Sequence, residues 1–67
     1  MNKFATRLIE LREDKNLSQN ELAKALGISS ITISRWERGI RIPNVDSAIV
    51  LSNFFNVTVG YMVGAEN

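Results

Sequence analysis

Residues 27–39 read GISSITISRWERG, and this stretch carries the strongest structural signal in the sequence. A helix turns about 100° per residue, so the stretch divides into two faces of different chemistry. Ile33, Trp36 and Glu37 fall on one face. The other face combines small hydroxyl groups, one isoleucine and two guanidinium groups, from Ser30, Ile31, Ser34, Arg35 and Arg38. We predict a helix that packs through the first face and binds a partner through the second.

The outer face of this helix suits the major groove of B-DNA. An arginine can bind guanine O6 and N7 there, a serine can bind several base edges, and an apolar side chain can contact a thymine methyl group. The sequence therefore predicts four base-reading residues, which are Ser30, Ile31, Ser34 and Arg35. The alternative is an ordinary solvated helix surface, on which such side chains need no partner.

Length and composition restrict the possible classes of protein. The chain has 67 residues, which suits one small domain over residues 1–67, and it contains no cysteine and no histidine. The serines have no evident catalytic base and the acids have no metal-ligand spacing, so we expect no enzyme, metal or cofactor. The longest apolar run, Ala48 to Leu51, is far shorter than the roughly 20 residues of a membrane span. We expect a soluble cytoplasmic protein without a small-molecule ligand.

Positive charge is concentrated around the candidate reading helix. The net charge of +1 is mild, but residues 27–44 hold Arg35, Arg38 and Arg41 against Glu37 alone. Clustered arginines can neutralise phosphates and attract nucleic acid.

Apolar spacing and capping residues predict five helices and no strand. The first helix covers about residues 3–15. Ser18 to Glu21 match the capping box at the start of the second helix, and Gly27 suits its end. Ser29 and Gly39 bound the third helix. The fourth and fifth helices follow from the caps Asn44 and Thr58 and the stop at Asn56, over Val45–Phe55 and Val59–Val63.

The second and third helices, joined by a short glycine turn, form a helix-turn-helix at about residues 18–38. Here the chain resembles the phage repressor and Cro family, also called XRE-type regulators. The matching residues are Leu17-Ser18-Gln19, Glu21-Leu22-Ala23, Leu26-Gly27-Ile28-Ser29, Ile33-Ser34, Trp36-Glu37-Arg38-Gly39, Pro43, Val57-Thr58-Val59 and Met62. The resemblance implies an all-α, compact five-helix, lambda-repressor-like domain that binds operator DNA as a homodimer. Departures from the family pattern are Asn56 for glycine and isoleucine at the usually polar positions 31, 40 and 42.

Five further side chains are candidate phosphate ligands. We expect Gln19 and Asn20 to be exposed at a helix N-terminus, where backbone N–H groups attract anions. The resemblance also implies a phosphate contact for Gln19. Arg38 and Arg41 lie where the chain leaves the groove. Asn44 can bind a phosphate or serve only as a helix cap.

Arg12 projects into the apolar arc of the first helix, where an unpaired charge costs several kcal/mol. The family resemblance implies an ion pair with Glu37. The alternative is that Arg12 lays its stem on the core and extends its charge to water.

The fourth helix projects Val45, Ala48, Leu51, Ser52 and Phe55 on one arc. Val50, Phe54 and Tyr61 point away from the packed arcs of the last two helices. We expect these three to form a two-fold contact between copies, whereas the alternative is scattered surface hydrophobicity.

Together these patterns predict a sequence-specific transcriptional regulator, a repressor that occupies a pseudo-palindromic operator on double-stranded DNA. The alternative is a protein-interaction module of the same fold, such as an antitoxin or a regulatory subunit. A salt-dependent shift with operator DNA separates the two.

Overall fold

The computed structural model describes residues 2–66 and contains five helices in that range, with no strand. They are α1 (Lys3–Asp14), α2 (Gln19–Leu26), α3 (Ser30–Glu37), α4 (Val45–Phe55) and α5 (Val59–Val63). The all-α, five-helix expectation is confirmed, and α1 ends one residue earlier than predicted.

Local side chains define where the helices begin. Ser18 Oγ accepts from Glu21 N at 3.0 Å while Ser18 N donates to Glu21 Oε1 at 2.8 Å, so the predicted capping box is present. The hydrogen bond that Ser18 N donates holds the pKa of Glu21 below its ordinary value, because it favours the carboxylate. Ser29, Asn44 and Thr58 cap α3, α4 and α5 in the same way, through side-chain oxygens.

Backbone conformations end the helices where the sequence predicts. Gly27 closes α2 at φ +71°, in the left-handed region where a Cβ is unfavourable. Asn56 closes α4 at φ +56°, and asparagine tolerates this region better than most residues. Asn56 therefore ends the helix in the left-handed conformation, at a position where the family pattern favours glycine.

All five helices contribute to one core. Its members are Phe4, Leu8, Leu22, Ala23, Ile33, Trp36, Leu51, Phe55 and Met62. Phe4 of α1 meets Trp36 of α3 edge to face, with ring centroids 6.0 Å apart. The core thus fixes α3 against α1 and leaves its other face outside.

One expected core position is wrong. Val45 is 73% exposed, although the helical projection groups it with Ala48. Val45 is the first residue of α4, and the packed surface begins one turn later at Ala48. A projection down the helix axis does not show where along the helix the packing starts.

Candidate nucleic-acid interface

Helices α2 and α3 pack against each other across the turn Gly27-Ile28-Ser29. Ile28 N donates to Ala23 O at 3.0 Å, which ties the turn to the end of α2. Leu22 and Ala23 of α2 are buried together with Ile33 and Trp36 of α3. This is the helix-turn-helix arrangement that the residue spacing predicts.

The two faces of α3 differ as the sequence indicates. Its buried residues are Ile33, Trp36 and Glu37. Ile31 is 58% exposed, Arg35 and Arg38 are exposed, and Ser30 and Ser34 are half-buried. The candidate base-reading residues therefore share a surface that the core leaves open.

A hydrogen-bonded network joins the buried edge of α3 to α1 and α2. Arg12 Nε donates to Glu37 Oε2 at 2.6 Å and Arg12 Nη2 donates to Glu37 Oε1 at 3.0 Å, so the expected ion pair is present. The third nitrogen of Arg12 donates to Leu17 O at 2.7 Å. The hydrogen bond to Glu37 raises the pKa of Arg12 above its ordinary value, although burial opposes the shift.

Gln19 belongs to the same network, which the sequence did not reveal. Its amide nitrogen donates to Glu37 Oε1 at 3.0 Å, and its side chain is half-buried rather than exposed as expected. An ionised carboxylate only accepts hydrogen bonds, so Glu37 fixes which end of the amide faces it. Gln19 keeps a second N–H for an outside acceptor. Asn20 is exposed, as predicted.

A groove of about 360 Å³ lies between α3 and the start of α4. It is lined by Thr32, Arg35, Trp36, Arg41, Ile42, Pro43, Asn44 and Ser47. The groove brings candidate base-reading and phosphate-binding residues together. Thr32 is a member that sequence reasoning missed, although its place one turn before Trp36 puts it at the border of the buried face.

The remaining candidate phosphate ligands differ in how far their side chains are already hydrogen-bonded within the protein. Arg38 and Arg41 are exposed, and Arg38 Nε makes only a long bond of 3.4 Å to Ser34 O. Asn44 Oδ1 accepts from Ser47 N at 2.8 Å, so the capping role is real. Asn44 also lines the groove, and its amide nitrogen is a donor that an anion can accept from.

The expected surface of Val50, Phe54 and Tyr61 is only partly present. Val50 is 49% exposed, but Phe54 and Tyr61 are half-buried. Phe54 packs against the core, meets Phe55 edge to face, and lies 5.7 Å from the Lys15 ammonium. The expectation that both aromatic rings are exposed is therefore wrong, because side chains distant in sequence cover them.

Arg7 is the side chain that covers Tyr61. Its guanidinium lies 4.2 Å from the ring centroid and donates to Tyr61 O at 2.6 Å. It also donates to the backbone carbonyl of Glu66. One arginine of α1 thereby holds the end of the described chain against α5.

Two kinds of feature are absent from residues 2–66. Not one helix there has both the length and the apolar character needed to cross a membrane. Within the same range, the His, Cys, Asp and Glu side chains form no group of three or more that could hold a metal ion.

Comparison with known proteins points to one family. A family model described as helix-turn-helix matches residues 8–62. The chain is 41% identical over 63 residues to the HTH-type transcriptional activator BcrR of Enterococcus faecalis, covering 94% of this chain and 31% of that protein. It is 37% identical over 60 residues to the HTH-type transcriptional regulator ImmR of Bacillus subtilis, covering 90% of this chain and 47% of that protein.

A solved structure has the same fold. The crystal structure of a transcriptional regulator from Listeria innocua superposes with a TM-score of 0.87 at 22% identity, over 100% of this chain and 63% of that chain. The chain therefore spans about a third to a half of the length of the two relatives above and under two thirds of the structural neighbour.

Proposed function

This chain belongs to the helix-turn-helix family, and from that premise we propose that it is a sequence-specific DNA-binding transcriptional regulator. The observation that carries the proposal is the division of α3, with Ile33, Trp36 and Glu37 buried and with Ile31 and Arg35 exposed beside a basic groove. A helix held from behind and exposing this mixture of groups fits the major groove.

In the proposed complex, α3 lies in the major groove and reads bases through Ser30, Ile31, Ser34 and Arg35. Arg35 binds the O6 and N7 of a guanine, and Ile31 contacts a thymine methyl group. The exposed position of both side chains supports these roles. The half-buried serines have shorter reach and suit base edges that come close to the helix.

The DNA backbone is held on both sides of α3. Gln19 and Asn20 bind a phosphate at the start of α2, with the second N–H of Gln19 as donor. Arg38, Arg41 and Asn44 bind phosphates at the far end, around the groove. Such contacts set the register of the protein on the duplex and carry no sequence information themselves.

We assign the network around Glu37 a positioning role. Arg12 and Gln19 both donate to this carboxylate, from α1 and from the start of α2. A shift of α3 in the groove would strain bonds to both helices. The network thus fixes the reading helix relative to the phosphate contact at Gln19.

We further propose that the chain acts in the cytoplasm as a homodimer on a pseudo-palindromic operator. The two copies meet through α4 and α5, at Val50 and the exposed edges of Phe54 and Tyr61. Two-fold symmetry then presents two α3 helices to one side of the duplex, with half-site centres about 10–10.5 base pairs apart. We propose repression by occupancy, because a bound operator is closed to other proteins without catalysis.

The test is selection of bound sequences from a random pool of duplex DNA with the full chain. We expect an enriched motif with two inverted half-sites and an affinity that falls as salt rises. An enriched motif with a single half-site would contradict the homodimer and would still support a sequence-specific regulator. Recovery of unselected sequences at every salt concentration would contradict the proposal and favour a protein-interaction module.

A further inference from the structure

The loop between α3 and α4 exposes two isoleucines on either side of Arg41. Ile42 is 74% exposed and Ile40 is 60% exposed, although both belong to a residue type that is usually buried. Single exposed apolar side chains are common, but here two of them flank a cation at a candidate binding surface. The roles assigned so far use Arg41 and leave both isoleucines unexplained.

The backbone of this loop is fixed to the reading helix. Ile40 N and Arg41 N both donate to Arg35 O, at 3.0 Å and 3.4 Å, and Gly39 makes the turn at φ +75°. The loop therefore cannot move far from the C-terminal turn of α3. A molecule that engages the Arg35 side chain lies close to the loop as well.

The groove shows which kind of partner fits. Ile42 lines it together with Arg35 and Arg41, so guanidinium groups and an apolar wall face the same space. The DNA backbone also combines charged and apolar groups, because its phosphates alternate with deoxyriboses whose edges are largely C–H groups. The residue types in this groove therefore complement a backbone strand as well as a base.

The charge of this loop favours DNA over a second copy of the chain as the molecule that binds there. Residues 38–45 contain Arg38 and Arg41 and no acid, and Arg35 lies one turn earlier. A two-fold contact centred on this loop would place the same arginines against each other. A polyanion meets attraction at every one of these positions.

We propose that Ile40 and Ile42 pack against the deoxyriboses on either side of the phosphate that Arg41 binds. The inference rests on the proposed function and adds apolar contacts to the phosphate contact already assigned to Arg41. Apolar contact with sugars neutralises no charge and reads no base. It therefore adds affinity that does not depend on salt or on base sequence.

The experiment compares Ile40→Ser, Ile42→Ser and the double variant with the unchanged chain. Ile49→Ser is the matched control, since Ile49 is also exposed, at 43%, but lies on α4. Fluorescence anisotropy gives the Kd for the selected operator and for a random duplex over a series of salt concentrations. We expect each single loop variant to bind both duplexes about fourfold more weakly, from the loss of roughly 30–40 Å² of apolar contact, and the double variant about sixteenfold more weakly, because independent losses add in free energy. The slope of log K against log salt should stay unchanged.

Arg41→Ala provides the contrast in the same series, because loss of a phosphate contact should reduce that slope by about 1. Thermal melting of every variant confirms that the fold is intact. The Ile49→Ser control should bind like the unchanged chain.

Three results would overturn the inference while the proposed function stands. Loop variants that bind both duplexes as tightly as the unchanged chain would remove the contact. A loss confined to the operator would mean that the isoleucines touch bases. Reduced self-association in DNA-free sedimentation would make the loop an interface between copies. Failure of the unchanged chain to bind any duplex would instead overturn both proposals.

Discussion

Helices α1 to α3 are joined by a buried ion pair and hydrogen bonds as well as by apolar packing. Helices α4 and α5 meet the core through apolar side chains, and Arg7 of α1 adds hydrogen bonds near the end of the described chain. Except for Asp46 and Glu66, every charged side chain of the protein lies at residues 3–41. The Arg12–Glu37 pair and the Gln19 bond both belong to the first region. In the second region Ser52 is buried, and its hydroxyl donates to Ile49 O within the same helix.

The difference follows from what each region must hold in place. In the proposed complex, the reading helix has to keep one rotation about its own axis and one depth in the major groove. Directional hydrogen bonds specify both. A helix pair that closes the core needs only volume and apolar area. In the proposed complex the first region thus specifies a geometry, and the second supplies stability and the proposed contact between copies.

The largest expected effect comes from breaking the ion pair of the first region. Arg12→Ala should lower the free energy of unfolding by about 3–5 kcal/mol, because Glu37 is 5% exposed and would keep its charge with the neutral Gln19 amide in place of a cation. Urea denaturation measures the loss. Replacing both residues, as Arg12→Met with Glu37→Leu, should recover most of the stability, since no buried charge then remains.

If stability recovers in the double variant and DNA binding does not, the directional bonds of the first region serve DNA binding more than stability. The double variant should fold but read its operator less selectively, because the apolar pair holds α3 without directional bonds. A single Arg12→Ala variant with a melting temperature within a degree or two of the unchanged chain would contradict a structural role for the pair.

The next effect lies on the exposed face of the same region. Arg35→Ala should weaken operator binding by roughly 1–3 kcal/mol and relax the preference at one half-site position. Arg41→Ala is the matched control, because it should weaken all duplexes alike. Competition between operator and random DNA distinguishes the two. Equal losses on both duplexes for Arg35→Ala would move Arg35 from the base-reading set to the phosphate-binding set.

Local features of the fold were predictable from the sequence, and long-range contacts were not. The caps at Ser18, Ser29, Asn44 and Thr58 depend on residues within one turn, so a short window contains all the information. The two faces of α3 likewise follow from helical spacing. The bounds of α4 and α5 agree with the prediction, whereas α1 ends one residue earlier than predicted and α3 ends at Glu37, two residues before Gly39.

The failures share a physical cause. Tyr61 is covered by Arg7, which is 54 residues away, and Phe54 by Lys15. A projection of one helix cannot show a long side chain arriving from another element. Gln19 was placed on the surface for the same reason, because its partner Glu37 comes from a different helix. The packed face of each helix was thus predictable from the sequence. The outer residues that other elements cover were harder to predict.

A smaller effect tests the second region as a surface. Val50→Glu should weaken dimerisation, because it puts a charge into an apolar contact between copies. The structure favours Val50 over Phe54 for this test, since changing Phe54 would also disturb the core. Ile49→Glu is the control, as a neighbour of similar exposure on another side of α4. Sedimentation without DNA should separate the two variants by about 1–2 kcal/mol of dimer stability.

Operator spacing measures the same contact independently. Five base pairs inserted between the half-sites rotate one of them by about half a turn and should abolish cooperative binding. Unchanged cooperativity on the lengthened operator, or equal dimerisation of the Val50 and Ile49 variants, would place the two-fold contact elsewhere.

The smallest effect compares the helix caps of the two regions, α2 in the first and α4 in the second. The cap of α2 includes a carboxylate, Glu21, whereas the cap of α4 is the neutral amide of Asn44. The pKa of Glu21 lies below its ordinary 4.5 in the folded protein, so its contribution is fully present above that pH and is lost as the pH falls through the folded value. Urea denaturation should therefore show Glu21→Gln to be less stable than the unchanged chain at pH 7 and equal to it at a pH well below the folded value. Asn44→Ala should cost about 1 kcal/mol at both pH values, because no proton is involved. A Glu21→Gln difference that persists undiminished in acid would mean that the cap of α2 does not depend on the charge, and the contrast between charged and neutral regions would not extend to their helix ends.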